Sequence, residues 1–186
     1  MTDEAKKELL GIARYSIRTF FSGEPYPLDK ALELKEKYAV LNEHSGAFVT
    51  LTELGELRGC VGYIFSEDDL IKTIYNAARQ AAFHDTRFSP LRQYEVEVIQ
   101  IEISVLSEPF KMKSYDEIEL GKHGLILNDA GGRALLLPQV PVEHELNRDE
   151  FLNALCQKAG IKSSLWKERL LNIDMFTADV FSEETT

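Results

Sequence analysis

Cysteine is scarce: Cys60 and Cys156 are the two in 186 residues, and no CxxC spacing joins them. That excludes a disulfide-stapled secreted scaffold and fits a reducing compartment. Basic charge is short as well. Lys and Arg number 21 against 31 Asp and Glu, a net charge of −10, and such a surface repels phosphate backbones and anionic lipid, so general nucleic-acid binding is disfavoured. No segment approaches the roughly 20 consecutive apolar residues needed to cross a bilayer. The opening MTDEAKKELLG has neither the apolar stretch nor the small-residue cleavage site of a signal peptide. These absences point to a cytoplasmic protein. There is no GxGxxG and no P-loop, so no nucleotide cofactor is expected. The four histidines show no HxxxH spacing, so a metal site would have to be assembled in three dimensions, with Cys60, His84, Glu143 and His144 as ligands; the bland alternative is solvated or capped histidines.

What is present suits one globular domain over residues 1–186, with a smaller lobe inserted in it: 44% of residues are hydrophobic, and at this length folding buries roughly 70% of the unfolded chain's surface without a metal or disulfide. Leu9, Leu10, Ala13, Ile17, Phe20 and Phe21 recur at helical spacing in an amphipathic helix over 3–21, ended by Gly23, Pro25 and Pro27. A polar helix follows from Asp29 to about Tyr38. Residues 46–65 read as two strands joined around Glu53 to Glu56, and Ser66 is expected to cap a helix running to Phe83. HDTRFSP, residues 84–90, reads as a loop.

The strongest β signal is Glu95 to Leu106, where Ile99, Ile101, Ile103 and Val105 alternate with polar residues; Val96 and Val98 lie in the opposite phase and predict a bulge. A short helix near 114–120 precedes a second hairpin around Asn128 to Gly132, which Pro138 and Pro141 stop. Asn147 and Glu150 form a capping box for a helix through Lys158, with Gly160 after it. Residues 172–181 read as one strand before a fraying SEETT tail. Hairpins with helices between them, and no regular βαβ alternation, indicate an α+β fold on a largely antiparallel or mixed sheet.

Leu57-Arg58-Gly59-Cys60-Val61-Gly62 stands apart, because a strand interior rarely holds two glycines unless something approaches the backbone closely. Period-two geometry sets Arg58, Cys60 and Gly62 on one face. Cys60 then has a cation two residues away, which favours a thiolate, and no side chain beyond it at Gly62. The plainer reading makes Cys60 a small core residue, Arg58 an ion-pair partner and the glycines a bulge. Cys156 shares a helix stripe with Leu152, Leu155 and Ala159 and reads as core. His84 is a candidate base if its loop returns to the hairpin. Asp85 and Arg87 serve equally as an ion pair that pins that loop, while Glu143 and His144 follow the rigid PQVPV segment.

LRGCVG, AAFHDTRFSPL, EISVLSEP, GKHGLIL, LPQVPVEH and FLNALCQKAG occur in an order that resembles the AMMECR-type domain family, which takes in protein A of the AmmeMemoRadiSam system. The likeness runs from about Leu9 to Phe181. It implies a two-lobed α+β domain with the sheet flanked by helices, association with Memo-like and radical-SAM proteins, and a functional site at Leu57 to Gly62. Two departures stand out. Thr86 replaces the family's proline in Asp-Pro-Arg-Phe, and Glu145-Leu146-Asn147 replaces Gly-Trp-Asp, which removes an aromatic wall there.

The expected function is a cytosolic enzyme or enzyme subunit acting on a small anionic or carbonyl metabolite. Cys60, Arg58, His84 and Glu143 are the catalytic candidates; Gly59, Gly62, Arg87 and His144 are the substrate-binding ones. The alternative is a binding or adapter domain whose glycine-rich hairpin docks a partner.

Overall fold

The computed structural model describes residues 1–183; the rest of the SEETT tail lies outside the described residues. Along the chain run α1 (Asp3–Ser22), α2 (Leu28–Lys37), β1 (Ala47–Glu53), β2 (Glu56–Tyr63), α3 (Leu70–Phe83), β3 (Gln100–Leu106) and β4 (Phe110–Lys111). Then follow β5 (Gly124–Asp129), β6 (Gly132–Leu136), α4 (Val140–Glu143), α5 (Arg148–Lys158), β7 (Ile173–Phe176) and β8 (Ala178–Ser182). The fold is α+β. The strands form two four-stranded sheets, ordered β2-β1-β3-β8 and β4-β7-β5-β6. Contacts divide the chain into two compact units, Ser107–Ala178 and a first unit made of Met1–Leu106 and the chain from Asp179.

In the first unit, the helical stripe of α1 buries Leu9, Ala13 and Ile17, and α3 buries Ile71, Ile74, Ala77 and Ala78, in one core with Val49, Leu51, Ile101 and Ile103 from the sheet. Alternation along β1 accounts for this: Ala47, Val49 and Leu51 are fully buried, and the residues between them are partly exposed. Ser66 does not cap α3. Asp69 does, its carboxylate accepting the Lys72 N–H at 3.0 Å, while Ser66 accepts from the Thr73 hydroxyl at 2.7 Å.

The bulge expected near Val98 is also absent as such. Residues Gln93–Glu97 form a 3-10 helix, and β3 begins at Gln100. The phase change marks where the strand starts, not a kink within it.

In the second unit α5 buries Phe151, Leu152, Leu155 and Cys156 against Leu125, Leu127, Ile173 and Met175. Both halves of its capping box form: Asn147 accepts the Glu150 N–H at 3.0 Å, and Glu150 accepts the Asn147 N–H at 2.8 Å. The single strand expected over 172–181 is two strands in different sheets, β7 and β8, broken at Thr177. Among the described residues no helix is long and apolar enough to cross a membrane.

Small residues set how closely α3 meets the first sheet. A methyl built at Gly59 overlaps the Ala81 carbonyl oxygen of α3, which is backbone and cannot move aside cheaply. Gly11, exposed mid-way along α1, has no atom within 4 Å of such a methyl. Gly59→Ala is therefore expected to cost about 1–3 kcal/mol, whereas Gly11→Ala should stabilise by about 0.5–1 kcal/mol. Urea midpoints of the two variants against the parent check both signs.

Candidate functional site

β2 lies at the edge of its sheet, so alternate residues turn a backbone N–H and C=O away from β1. Register pairs Thr50 with Cys60 and Phe48 with Gly62, and a shift at Leu51/Thr52 leaves Arg58 as an extra residue on β2. Gly59 is buried and Val61 and Tyr63 pack on the core, which puts Cys60 on the opposite face, partly exposed, beside Thr50. The Thr50 hydroxyl lies 3.3 Å from the Cys60 sulfur, oriented to donate to it. Neither Cys60 nor Cys156 is in a disulfide.

The outward polar groups of Cys60 are taken up by the loop that follows α3. Its N–H donates to Asp85 Oδ2 at 2.9 Å, and its carbonyl accepts from Arg87 Nη2 at 3.2 Å. Asp85 and Arg87 are themselves joined in a two-pronged pair, Nε to Oδ1 at 3.0 Å and Nη2 to Oδ2 at 2.7 Å. Carboxylate and guanidinium thus stand where a neighbouring strand would be.

The Arg87 guanidinium, opposed by burial and helped by the N–H groups of Cys60 and Arg87, lowers the Asp85 carboxyl to about 2. Hydrogen bonding to Asp85 in turn raises Arg87. The Asp85 side chain is 6% exposed and that of Arg87 56%, so the pair joins a buried acid to a solvent-facing base.

Arg58 is engaged elsewhere. Its Nε donates to Glu95 Oε1 at 2.8 Å and its Nη1 to the Ser89 carbonyl at 2.8 Å. Burial pushes the Glu95 carboxyl up, but the Arg58 guanidinium and the Arg92 N–H together hold it below its ordinary value. The ion-pair role weighed for Arg58 is what the geometry displays, and Arg87 is a cation that contacts the Cys60 carbonyl.

The two glycines of the motif make room for the protein's own groups. Gly59 admits α3, and a methyl at Gly62 overlaps Phe48 and the Ala47 carbonyl of β1. The space expected beyond Cys60 at Gly62 is filled by the Phe48 ring.

His84 ends α3 with its backbone N–H on the Gln80 carbonyl, and its side chain is exposed; from the same loop the side chains that reach the Cys60 peptide are those of Asp85 and Arg87. Glu143 and His144 are exposed residues at the end of α4 and belong to the second unit. Among the described residues no three His, Cys, Asp or Glu side chains gather as a metal site would require. Cys156 is fully buried and its thiol is pushed up by that burial. Thr50 and Glu95 carried no signal in the sequence. Thr50 meets Cys60 only through strand register, and Glu95 was read as part of a strand.

A family model of AMMECR1 matches residues 10–181. The chain belongs to the AMMECR1 family. Its AMMECR1 relatives include a protein of Methanosarcina barkeri, 37% identical over 99% of this chain and 93% of that one. Another, from Aquifex aeolicus, is 37% identical over 96% of this chain and 92% of its own. The crystal structure of an uncharacterised Pyrococcus horikoshii protein superposes with a TM-score of 0.88 at 32% identity, covering 100% of this chain and 94% of that one.

The Asp85 pair has a pH signature. Its folded pKa of about 2 lies below the ordinary aspartate value, so its contribution is complete above about pH 4 and is lost as pH falls through about 2. With the half-exposed Arg87 partner allowed for, the contribution is about 1–2 kcal/mol. Asp85→Asn should lower stability at neutral pH by that amount and flatten the acid limb between about pH 4 and 2. Urea melts of parent and variant across that range measure it.

Proposed function

We propose that this protein is a cytoplasmic enzyme or enzyme subunit that uses Cys60 on a small anionic or carbonyl metabolite. The observation that carries the reading is the Asp85–Arg87 couple closed on the Cys60 peptide. It fixes the guanidinium of an exposed arginine to the strand that bears the thiol, so an anionic substrate group has a receptor beside the sulfur. Arg87 takes the anion in this scheme, and Arg58 holds the hairpin through Glu95. With a carbonyl substrate, the sulfur bonds to the carbonyl carbon, the C=O π bond opens, and the thiol proton passes to that oxygen. The family resemblance supports Memo-like and radical-SAM proteins as partners, the second as a source of the metabolite.

A second reading, the adapter domain, draws on a different observation. Leu54, at the tip of the β1–β2 hairpin, is 98% exposed and holds a left-handed backbone, φ 53°, in a turn that favours Asn, Asp or Gly there. Leu57, 43% exposed, follows on the same hairpin. An apolar residue kept where local rules disfavour it suits contact with a partner protein.

A thermal-shift screen against anionic and carbonyl metabolites separates the two. Under the enzyme reading a ligand at about 100 times its Kd stabilises the parent by about 2.7 kcal/mol, and Cys60→Ser and Arg87→Gln each lose most of that shift while Leu54→Asn keeps it. If no metabolite shifts the parent and Leu54→Asn instead abolishes binding to a purified Memo-like protein, the enzyme reading fails and the adapter stands.

A further inference from the structure

The second unit holds an open cleft of about 570 Å³, in the size range of small-molecule sites, roughly 300–1,000 Å³. Its aromatic wall is the near-perpendicular pair Tyr115 and Trp166, with ring centroids 5.5 Å apart. Both rings are held by their polar edges. The Tyr115 hydroxyl donates to the Arg169 carbonyl at 2.9 Å and accepts the Leu171 N–H at 2.9 Å, and Trp166 Nε1 donates to Asn153 at 2.8 Å. Rings fixed in this way need little further ordering to receive a stacked ligand.

The cations of the lining divide by what they already hold. Arg169 is committed to Asp129 through Nη1 at 2.8 Å and Nη2 at 2.5 Å. Lys167 is held more loosely: its ammonium lies over the Trp166 ring, 5.0 Å from the centroid, and its carboxylate contact, Asp149 at 3.8 Å, is beyond hydrogen-bond length. Arg148 spends Nη1 on the exposed Asp116 at 2.6 Å and its Nε is buried away from solvent, but its side chain is 42% exposed, so part of its charge still faces the cleft. Of the lining carboxylates, Glu168 is held by Lys162 at 2.5 Å, and Asp149 has only the long contact to Lys167.

We infer that this cleft binds a small ligand that joins a planar ring to a phosphate, a nucleoside monophosphate by class. The phosphate draws Lys167 off the Trp166 ring and pairs with it and with Arg148, the ligand ring stacks on Trp166 in the place of the ammonium, and Asp149 accepts from sugar hydroxyls. No glycine-rich loop is needed, because side chains supply the donors, which is why the site leaves no P-loop motif in the sequence. The inference is independent of the thiol reading and concerns the other unit.

Trp166 is the only tryptophan of the chain, so intrinsic tryptophan fluorescence reports on this cleft alone. The intact protein is titrated with AMP, adenosine and inorganic phosphate, exciting at the red edge of the indole band. AMP should quench saturably, and adenosine and phosphate should bind at least tenfold more weakly. Lys167→Gln, at a half-exposed side chain, should weaken AMP about tenfold, as loss of a charge-assisted hydrogen bond does, and Lys113→Gln, an exposed lysine outside the lining, should change nothing. Absence of saturable quenching at millimolar AMP, equal binding of adenosine or phosphate, or unchanged affinity in Lys167→Gln overturns the assignment.

Discussion

The hydrogen-bonded junction between Asp85, Arg87 and the Cys60 peptide is what the first unit's candidate site depends on. An edge strand leaves its outward N–H and C=O groups to water or to another chain. Here a carboxylate and a guanidinium, paired with each other, take both groups of the one residue whose sulfur carries the chemical interest. The junction requires the end of α3 to lie close to β2. Gly59 permits that approach, since any side chain there would collide with the Ala81 carbonyl. The chain of cause runs from a missing Cβ, through helix position, to the loop that begins at His84, and so to the thiol.

The second unit uses the same device. Asp129 forms a two-pronged pair with Arg169 and accepts the Asn172 N–H at 2.7 Å, as Asp85 pairs with Arg87 and accepts the Cys60 N–H at 2.9 Å. The Arg169 hydrogen bonds, aided by that N–H, hold the Asp129 carboxyl well below the usual range. In both, one acid residue ties a loop or hairpin end to a segment distant in sequence. Such pairs satisfy backbone donors that would otherwise be stranded at a sheet margin.

Much of the secondary structure was legible because apolar spacing and capping chemistry are local. The stripe of α1, the hairpins at Glu53 to Glu56 and Asn128 to Gly132, and the Asn147–Glu150 capping box all formed where the residues indicated. The failures were also local, and each has a cause. Ser66 and Asp69 are both good caps, and Asp69, which caps α3, is also paired with Lys35 from a segment distant in sequence. Val96 and Val98 fell out of phase because the chain there is a 3-10 turn before β3. The run from Asn172 to Phe181 has one apolar pattern but serves two sheets, and no periodicity reveals where a strand changes partners.

By itself the sequence determined the α+β class, the hairpin that carries LRGCVG and the buried fate of Cys156, because these follow from short-range pattern, and the order of its motifs carried the resemblance to the family. Only the tertiary structure decided that Arg58 answers Glu95 while Arg87 meets Cys60, that Phe48 fills the space over Gly62, and that Thr50 stands beside the sulfur. Those facts depend on strand register and on where a helix end comes to rest. Both are set by contacts between residues tens of positions apart, which no local spacing encodes.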